Sequence, residues 1–398
     1  MSKAAHQRLQ AVLMEETPHS RYGASSLYRL KACAGSANLI LSSGAPNTTS
    51  RYAAEGTVAH AVGSICLNGE FVIDDFMGTE VTYAGFKFTV DAEMLAAVRV
   101  YVETVFAEVG AQGVLFVEQR FHLKEVHEDA FGTSDAAVLQ RASRKLVVAD
   151  YKHGAGEFVV VEDNDQLKYY ALGALLAIKA PVDDIELLIV QPRCERGDPV
   201  RRWSFKAVEL LEFYAELREI IAKSEAPDAP LAGGGHCGWC PAAPVCPELR
   251  RVRASRAKRG FMQEKQWYDP TVLAQDLAEN ELLEASIKAT RELAFNEAMS
   301  GRTVPGWKLV AKQARRQWRD VKAAATALVF DLGIAKTTIY EEPSLKSVAQ
   351  IEKLLPKADR AALAALVVKE SSGLTLAPES DKREAATRDS ASHFETEN

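Results

Sequence analysis

An α/β core over residues 51–225 is the fold class this sequence predicts, and three observations predict it. Apolar residues recur at helical spacing in 51–67, 90–110, 164–178 and 206–224. Short runs rich in Val, Leu, Ile and Phe at 114–122, 135–140, 145–151, 157–162, 185–190 and 201–205 read as strands. The order that results is helix, four strands, helix, two strands, helix, which suits a sheet with helices packed on it.

The elements follow in order. Residues 1–50 are polar and loop-rich around SSLYRLKACAGSANLIL, which reads as a short helical segment. RYAAEGTVAHAVGSICL and VDAEMLAAVRVYVETVFAEVG are helices, the second with the clearer apolar stripe. AAVLQ and KLVVA, joined by the polar turn RASR, carry a hairpin signal. NDQLKYYALGALLAI reads as a helix opened by Asp163 or Asn164 as N-cap. The Gly- and Pro-rich SEAPDAPLAGGGHCGWCPAAPVC is irregular, and 248–300 is helical. From about residue 370 the chain is polar and is expected to be disordered. There is no internal repeat. The expected domains are 1–255 as the core, 256–370 as an α-rich extension of unknown role, and 371–398 as a tail.

The chain has 398 residues, 47% hydrophobic and 26% charged, a soft prior for two domains or one large domain with an appendage. No signal peptide is expected from the polar start MSKAAHQRLQAVLMEE. The longest apolar patch, YYALGALLAIKAPV, carries Lys179 and is too short to span a bilayer, so the expected location is the cytoplasm, with no membrane partner. A net charge of −6 argues against a wholly basic nucleic-acid coat protein, yet leaves room for an enzyme that meets DNA along one local groove.

The hairpin poses a chemical question. Asp135 starts its first strand, and Asp150, Tyr151 and Lys152 end its second, so two carboxylates and an ammonium meet at one end. Close like charges are unfavourable unless a cation lies between them, and hard oxygen ligands suit Mg²⁺ or Mn²⁺. Lys152 lies two residues past Asp150 and so shares its strand face, where it could orient a water or meet charge on a phosphate. The bland reading is a turn aspartate plus an Asp150–Lys152 pair at a strand end. Beyond the hairpin, Gln166 and Tyr170 lie at i and i+4 on a helix whose N-terminus can itself receive a phosphate. His60 sits on a helix that otherwise reads as core, where a single histidine is more often structural.

The order Gly56-Thr57-x-x-His60, Gly132-x-x-Asp135, Asp150-Tyr151-Lys152 and Gln166-x-x-x-Tyr170 resembles the RecB-like branch of the PD-(D/E)xK nucleases. The resemblance implies a restriction-endonuclease-like core, a central mixed sheet flanked by helices. It implies His60, Asp135, Asp150 and the Tyr151 carbonyl as ligands of Mg²⁺ or Mn²⁺, and Lys152 as the catalytic lysine. Gln166 and Tyr170 would hold the DNA or the site, and Glu118 is a candidate acid just behind the ligands.

Three of six cysteines, Cys237, Cys240 and Cys246, lie within ten residues, which points to a metal rather than to disulfides. Cys33 is the best fourth ligand, and four thiolates suit either tetrahedral Zn²⁺ or an iron–sulfur cluster. One cysteine before the core and C-x2-C-x5-C after it resembles the iron–sulfur RecB-like nucleases, including AddB and the CRISPR-associated RecB-like exonucleases. That implies a [4Fe–4S] staple closing a loop of roughly 200 residues, where cross-linking restricts the unfolded chain most. Cys66 and Cys194 read as plain buried thiols, and His236 as a bystander.

The resemblance covers about residues 20–250, and PGWKLVAKQARRQWRD and LTLAPESDKR further on are similar to an uncharacterised family of phage and prophage proteins with this core. Its implied partners are DNA, as single strands or duplex ends, and phage replication or recombination proteins, in the cytoplasm of a bacterial host. Arg250, Arg251, Arg253, Arg256, Lys258 and Arg259 form a basic run that is either a solvated helix face or a DNA-backbone contact. Trp307 and Trp318 interleave with a second basic run and read first as buried anchors, second as stacking platforms. The competing readings are a non-catalytic DNA-binding module of the same fold and a zinc-stapled structural protein.

Overall fold

The computed structural model describes residues 3–15, 20–44, 49–262, 269–299 and 301–308, with the side chains of 259–262 and 299 outside the description. The helices are α1 (Lys3–Met14), α2 (Leu27–Ala32), α3 (Ser36–Ser43), α4 (Arg51–Leu67), α5 (Ala92–Val109), α6 (Asp165–Ile178), α7 (Leu210–Glu225), α8 (Pro247–Met262) and α9 (Pro270–Met299). The strands are β1 (Glu80–Tyr83), β2 (Phe86–Thr89), β3 (Val114–His122), β4 (Phe131–Gln140), β5 (Lys145–Tyr151), β6 (Asp184–Val190) and β7 (Val200–Lys206).

β3 to β7 form one mixed sheet in chain order. β4 runs antiparallel to β3 and β5, β6 runs parallel to β5, and β7 is antiparallel to β6. The parallel pair is joined by α6, the crossover that a parallel connection requires. Strands buried on both faces read as unbroken apolar runs. Ala136, Val138, Val147, Ala149, Leu188 and Val190 face a core shared with α1, α4 and α5. Their alternates Ala137, Leu146, Val148, Ile185, Leu187 and Ile189 face a second core with α2, α6 and α7. The fold class is therefore mixed α/β, as the element order predicts.

Local chemistry sets the element ends. Ser50, Asp91 and Asn164 each accept a backbone N–H of the first helical turn, from Ala53, Met94 and Leu167, as N-caps do. Of the two candidate caps for α6, the cap is Asn164.

Three readings are corrected. Residues 157–162 are not a strand: they join no ladder of the sheet, in which β5 is already paired with β4 and β6. The stretch is apolar because Val161 packs into the second core, and Gln191 and Arg201 side chains take up the Val159 backbone. β4 starts at Phe131 rather than at 135, since its first residues pair with β3 alone. The start of the chain is more ordered than its polarity suggests: α1 buries Ala5, Leu9 and Leu13, one apolar residue per turn. A further hairpin, β1–β2, turns through Ala84 and Gly85, both with positive φ, as a two-residue turn requires.

The cysteine-rich stretch is irregular apart from two short 3₁₀ turns, Gly235–Trp239 and Ala243–Val245. Leu282, Ala285 and Ala289 of α9 pack against Cys237, Ala243, Cys246 and Leu249. Residues 309–398, which contain Trp318 and the expected tail, lie outside the described residues.

Leu146 is fully buried at the centre of the sheet, whereas Val160 on the crossover loop is 48% exposed. Leu146→Ala should lower unfolding free energy by about 2–5 kcal/mol in urea titration, and Val160→Ala should stay within about 0.5 kcal/mol of wild type.

Candidate metal site and cysteine cluster

The β4–β5 ladder runs from Gln140↔Lys145 to Ala136↔Ala149 and stops there. The next pair would be Asp135 opposite Asp150. Instead the Asp135 Oδ2 accepts the Tyr151 backbone N–H at 2.7 Å, so the carboxylate itself replaces a main-chain acceptor. Beyond this point β5 is held only by β6, through Tyr151↔Val190 and the Lys152 N–H to the Val190 carbonyl at 2.9 Å.

Into the splayed end come two further groups. His60, ten residues into α4, places its Nδ1 at 3.4 Å from Asp135 Oδ1 and 4.0 Å from Glu118 Oε1. Glu118 interrupts the β3–β4 ladder between Val117↔Ala136 and Gln119↔Ser134, with a φ of 46°. A non-glycine residue in this left-handed region is held there at a cost of order 1–3 kcal/mol, and such residues gather at functional sites. His60, Glu118 and Asp135 are the one group of three among the described residues whose metal-binding atoms all lie within 4.8 Å of one another. Glu118 thus stands among the ligand-type groups rather than behind them. Asp150 is buried on the Lys152 side, where its Oδ2 meets the Lys152 Nζ at 2.8 Å, out of line for a hydrogen bond.

Electrostatics shows a site short of positive charge. Burial opposes a charge on His60, but Asp135 and then Glu118 outweigh it and raise its pKa to about 9. Burial, reinforced by Asp135, pushes the Glu118 carboxyl up to about 8. Burial also raises Asp150 against the pull of Lys152, while His60 overcomes burial to lower Asp135. Burial works against the Lys152 ammonium, but Asp150 prevails and its pKa is raised, so it stays charged at neutral pH. Without a metal the cluster approaches neutrality by keeping protons on His60 and Glu118. A divalent cation would meet the Glu118 and Asp135 carboxylates and the His60 imidazole in the same place and displace those protons, while Asp150 stays beside Lys152.

Lys152 leads to the predicted helix pair. Its Nζ donates to Gln166 Oε1 at 3.2 Å, and Gln166 Nε2 donates to Tyr170 Oη at 3.0 Å. Gly132 makes room for this chain, since a Cβ there would lie 2.8 Å from the Tyr170 ring. The glycine of Gly132-x-x-Asp135 is thus a packing requirement of the site.

A second layer was not legible from the motif spacing. Arg193, beyond β6, donates from Nη1 to Glu55 at 2.9 Å and to His153 Nε2 at 2.7 Å, and from Nε to Glu93 at 3.0 Å. Burial, with Arg193 beside it, lowers His153 to about 4, so the ring is neutral. Because Arg193 donates to Nε2, the remaining hydrogen sits on Nδ1 and is given to Tyr151 Oη at 2.8 Å. The Tyr151 ring stacks on Tyr101, centroids 4.8 Å apart. The residue between Asp150 and Lys152 is therefore clamped at backbone, ring and hydroxyl.

The four proposed thiolates also come together. Cys237 feels the charge of Cys246 and Cys33, and Cys240 that of Cys237 and Cys33. The Ala232 N–H points at Cys33 Sγ, 3.4 Å away and 199 residues along the chain. Gly35 binds the Pro230 carbonyl through its N–H, and a Cβ there would lie 2.4 Å from the Ala229 carbonyl oxygen. His236 Nε2 is engaged with the Ala232 carbonyl. Cys66 and Cys194 are buried elsewhere, and burial pushes the Cys66 thiol up to about 12.

In α8, which starts one residue after Cys246, Arg251 pairs with Glu248, Arg256 with Asp276 of α9, and Arg253 with the Leu249 carbonyl. Arg250 and Lys258 are exposed, and the Arg259 side chain lies outside the description. Trp307 is 81% exposed, which corrects its reading as a buried anchor. No helix of the described residues is long and apolar enough to cross a membrane.

The chain belongs to a family described as "Protein of unknown function (DUF2800)", whose model matches residues 19–384, most of its length.

Glu118→Gly would remove both the strained backbone conformation and an acid held against another acid, Asp135. The metal-free variant should gain about 1 kcal/mol in chemical unfolding, while its Mn²⁺ affinity, read by calorimetry, should fall.

Proposed function

We propose that the chain is a divalent-metal-dependent deoxyribonuclease of the PD-(D/E)xK type, acting on DNA ends or single strands in phage replication or recombination, with a [4Fe–4S] cluster joining the two ends of its core. The observation that carries the proposal is the splayed end of β4 and β5. There Asp135 meets His60 and Glu118 around one small volume, with the Asp150–Lys152 pair at the same strand ends. A fold-stabilising salt bridge would not call for three acids at one point.

Asp135, Asp150, His60, the Tyr151 carbonyl and Glu118 would hold Mg²⁺ or Mn²⁺. The imidazole makes Mn²⁺ the better fit. Such an ion, when bound, polarises a phosphate oxygen and lowers the pKa of a water. The chain's own residues supply the rest. Lys152 would act as a cation facing the phosphate. Gln166 and Asp150 fix its position. As the water oxygen bonds to phosphorus it gives up a proton to solvent, the bond to the leaving sugar oxygen breaks, and that oxygen takes up a proton from solvent. Lys152 meets the negative charge that builds on the phosphate, a preorganised contact of the kind worth ~10²–10³ in rate.

One cysteine before the core and C-x2-C-x5-C after it is what supports a cluster here, with a zinc staple as the alternative.

Incubation with end-labelled linear and circular DNA, single- and double-stranded, in Mg²⁺ or Mn²⁺ tests the chemistry. Wild type should cleave, and Asp150→Ala and Lys152→Ala should each lower the rate by ~10² or more with unchanged melting. Full activity in either variant would sink the assignment. Anaerobically purified protein should be brown with about four irons per chain, and Cys33→Ala should lose iron and melt earlier. Colourless protein with one zinc would replace the cluster by a zinc staple.

A further inference from the structure

We infer that an unpaired DNA strand runs from the metal site along one face of α4 into a groove beside the cysteine loop, where a base stacks on Trp239. The inference rests on the nuclease reading and specifies the form of DNA that the site takes.

Trp239 ends the 3₁₀ turn between Cys237 and Cys240, and 71% of its surface is exposed although the adjacent Cys237 is buried. It lines a cavity of about 240 Å³ together with Ser50 and Ala53 at the start of α4, Pro241, and Lys288 and Leu293 of α9. Such a groove holds one base against an aromatic ring and is too small for a base-paired duplex. Lys288 is exposed at its edge and suits a backbone phosphate. Arg250 and Lys258 of α8, which starts one residue after Cys246, are also exposed.

The path from the groove to the metal site is marked on α4. Ala53, Gly56, Thr57 and His60 are spaced three, four and seven residues apart, which puts them on one helix face. Gly56 is the telling residue. It lies inside a helix, where glycine is less favourable than alanine, and its backbone φ is not positive. A Cβ at Gly56 would meet nothing within 4 Å. Neither packing nor conformation asks for glycine here. Close passage of a ligand backbone over the helix does. From Ser50 to His60 the helix spans about 15 Å, the rise of about four stacked nucleotides. Aromatic stacking tolerates any base, so this groove selects strandedness and not sequence.

The test measures binding by the full chain in the cleavage-silent Asp150→Ala background, using fluorescence anisotropy of labelled oligo-dT and of a blunt duplex of equal length. Trp239→Ala should weaken oligo-dT binding about 5- to 100-fold and leave duplex binding unchanged, and Trp239→Phe should restore most of the loss. Gly56→Leu should weaken oligo-dT binding while melting at the same or a higher temperature, which separates a blocked path from a damaged fold. If wild type cleaves DNA but Trp239→Ala and Gly56→Leu bind oligo-dT as well as their parent, the strand path is wrong and the nuclease reading survives. Equal losses on duplex and oligo-dT would likewise overturn it. If wild type neither binds nor cleaves any DNA, the nuclease reading fails and takes this inference with it.

Discussion

One hydrogen bond organises the candidate site: the Asp135 carboxylate in place of a main-chain carbonyl on the Tyr151 N–H. While two antiparallel strands stay paired, opposite residues alternate between bonded and non-bonded positions and their side chains point above and below the sheet. A carboxylate that enters the ladder ends that alternation. It lets β4 and β5 separate and leaves a gap lined by backbone and acids. Glu118, at the corresponding point of β3, takes up the same disturbance through its left-handed backbone. The interrupted register on both sides of β4 is one feature, and the site is its consequence.

Charge follows from this geometry. Asp135, Asp150 and Glu118 are brought together by strand register, not by attraction, and the surroundings must compensate. His60 and Lys152 supply two positive charges, and Glu118 keeps a proton instead of a third. Around them lies a rigid shell: Tyr101 stacked on Tyr151, the neutral His153 between Tyr151 and Arg193, and Gln166 tied to Tyr170. Buried polar groups that are satisfied in this way fix a single geometry. The exception, the Asp150 Oδ2 without an aligned donor, lies against the Lys152 ammonium at 2.8 Å.

The cysteine region poses a different physical problem. It must hold together segments nearly 200 residues apart with few apolar contacts of its own. Close approach of Gly35 to the Ala229–Pro230 backbone begins the closure, and α9 covers the outer side of the loop with Leu282 and Ala289. A loop this long loses much unfolded-state freedom when its ends are joined.

Much of this is written in the sequence, and the reason is local chemistry. Continuous apolar strands, an N-cap at Asp163 or Asn164, and the spacings of Asp135, Asp150, Lys152, Gln166 and Tyr170 are short-range properties that survive without coordinates. Residues 157–162 imitate a strand because apolar alternation reports burial, while strand formation also needs an unpaired neighbour, which only the sheet order reveals. Glu118 can be named from the sequence but not placed, since its distance to His60 depends on how α4 crosses β3. Arg193, Glu55 and His153 are invisible as a group because they come from three elements and share no spacing. The sequence alone determined which residue types meet at the hairpin end; the tertiary structure decided which of them share a single cation-sized volume, because that depends on strand register and helix packing across long stretches of chain.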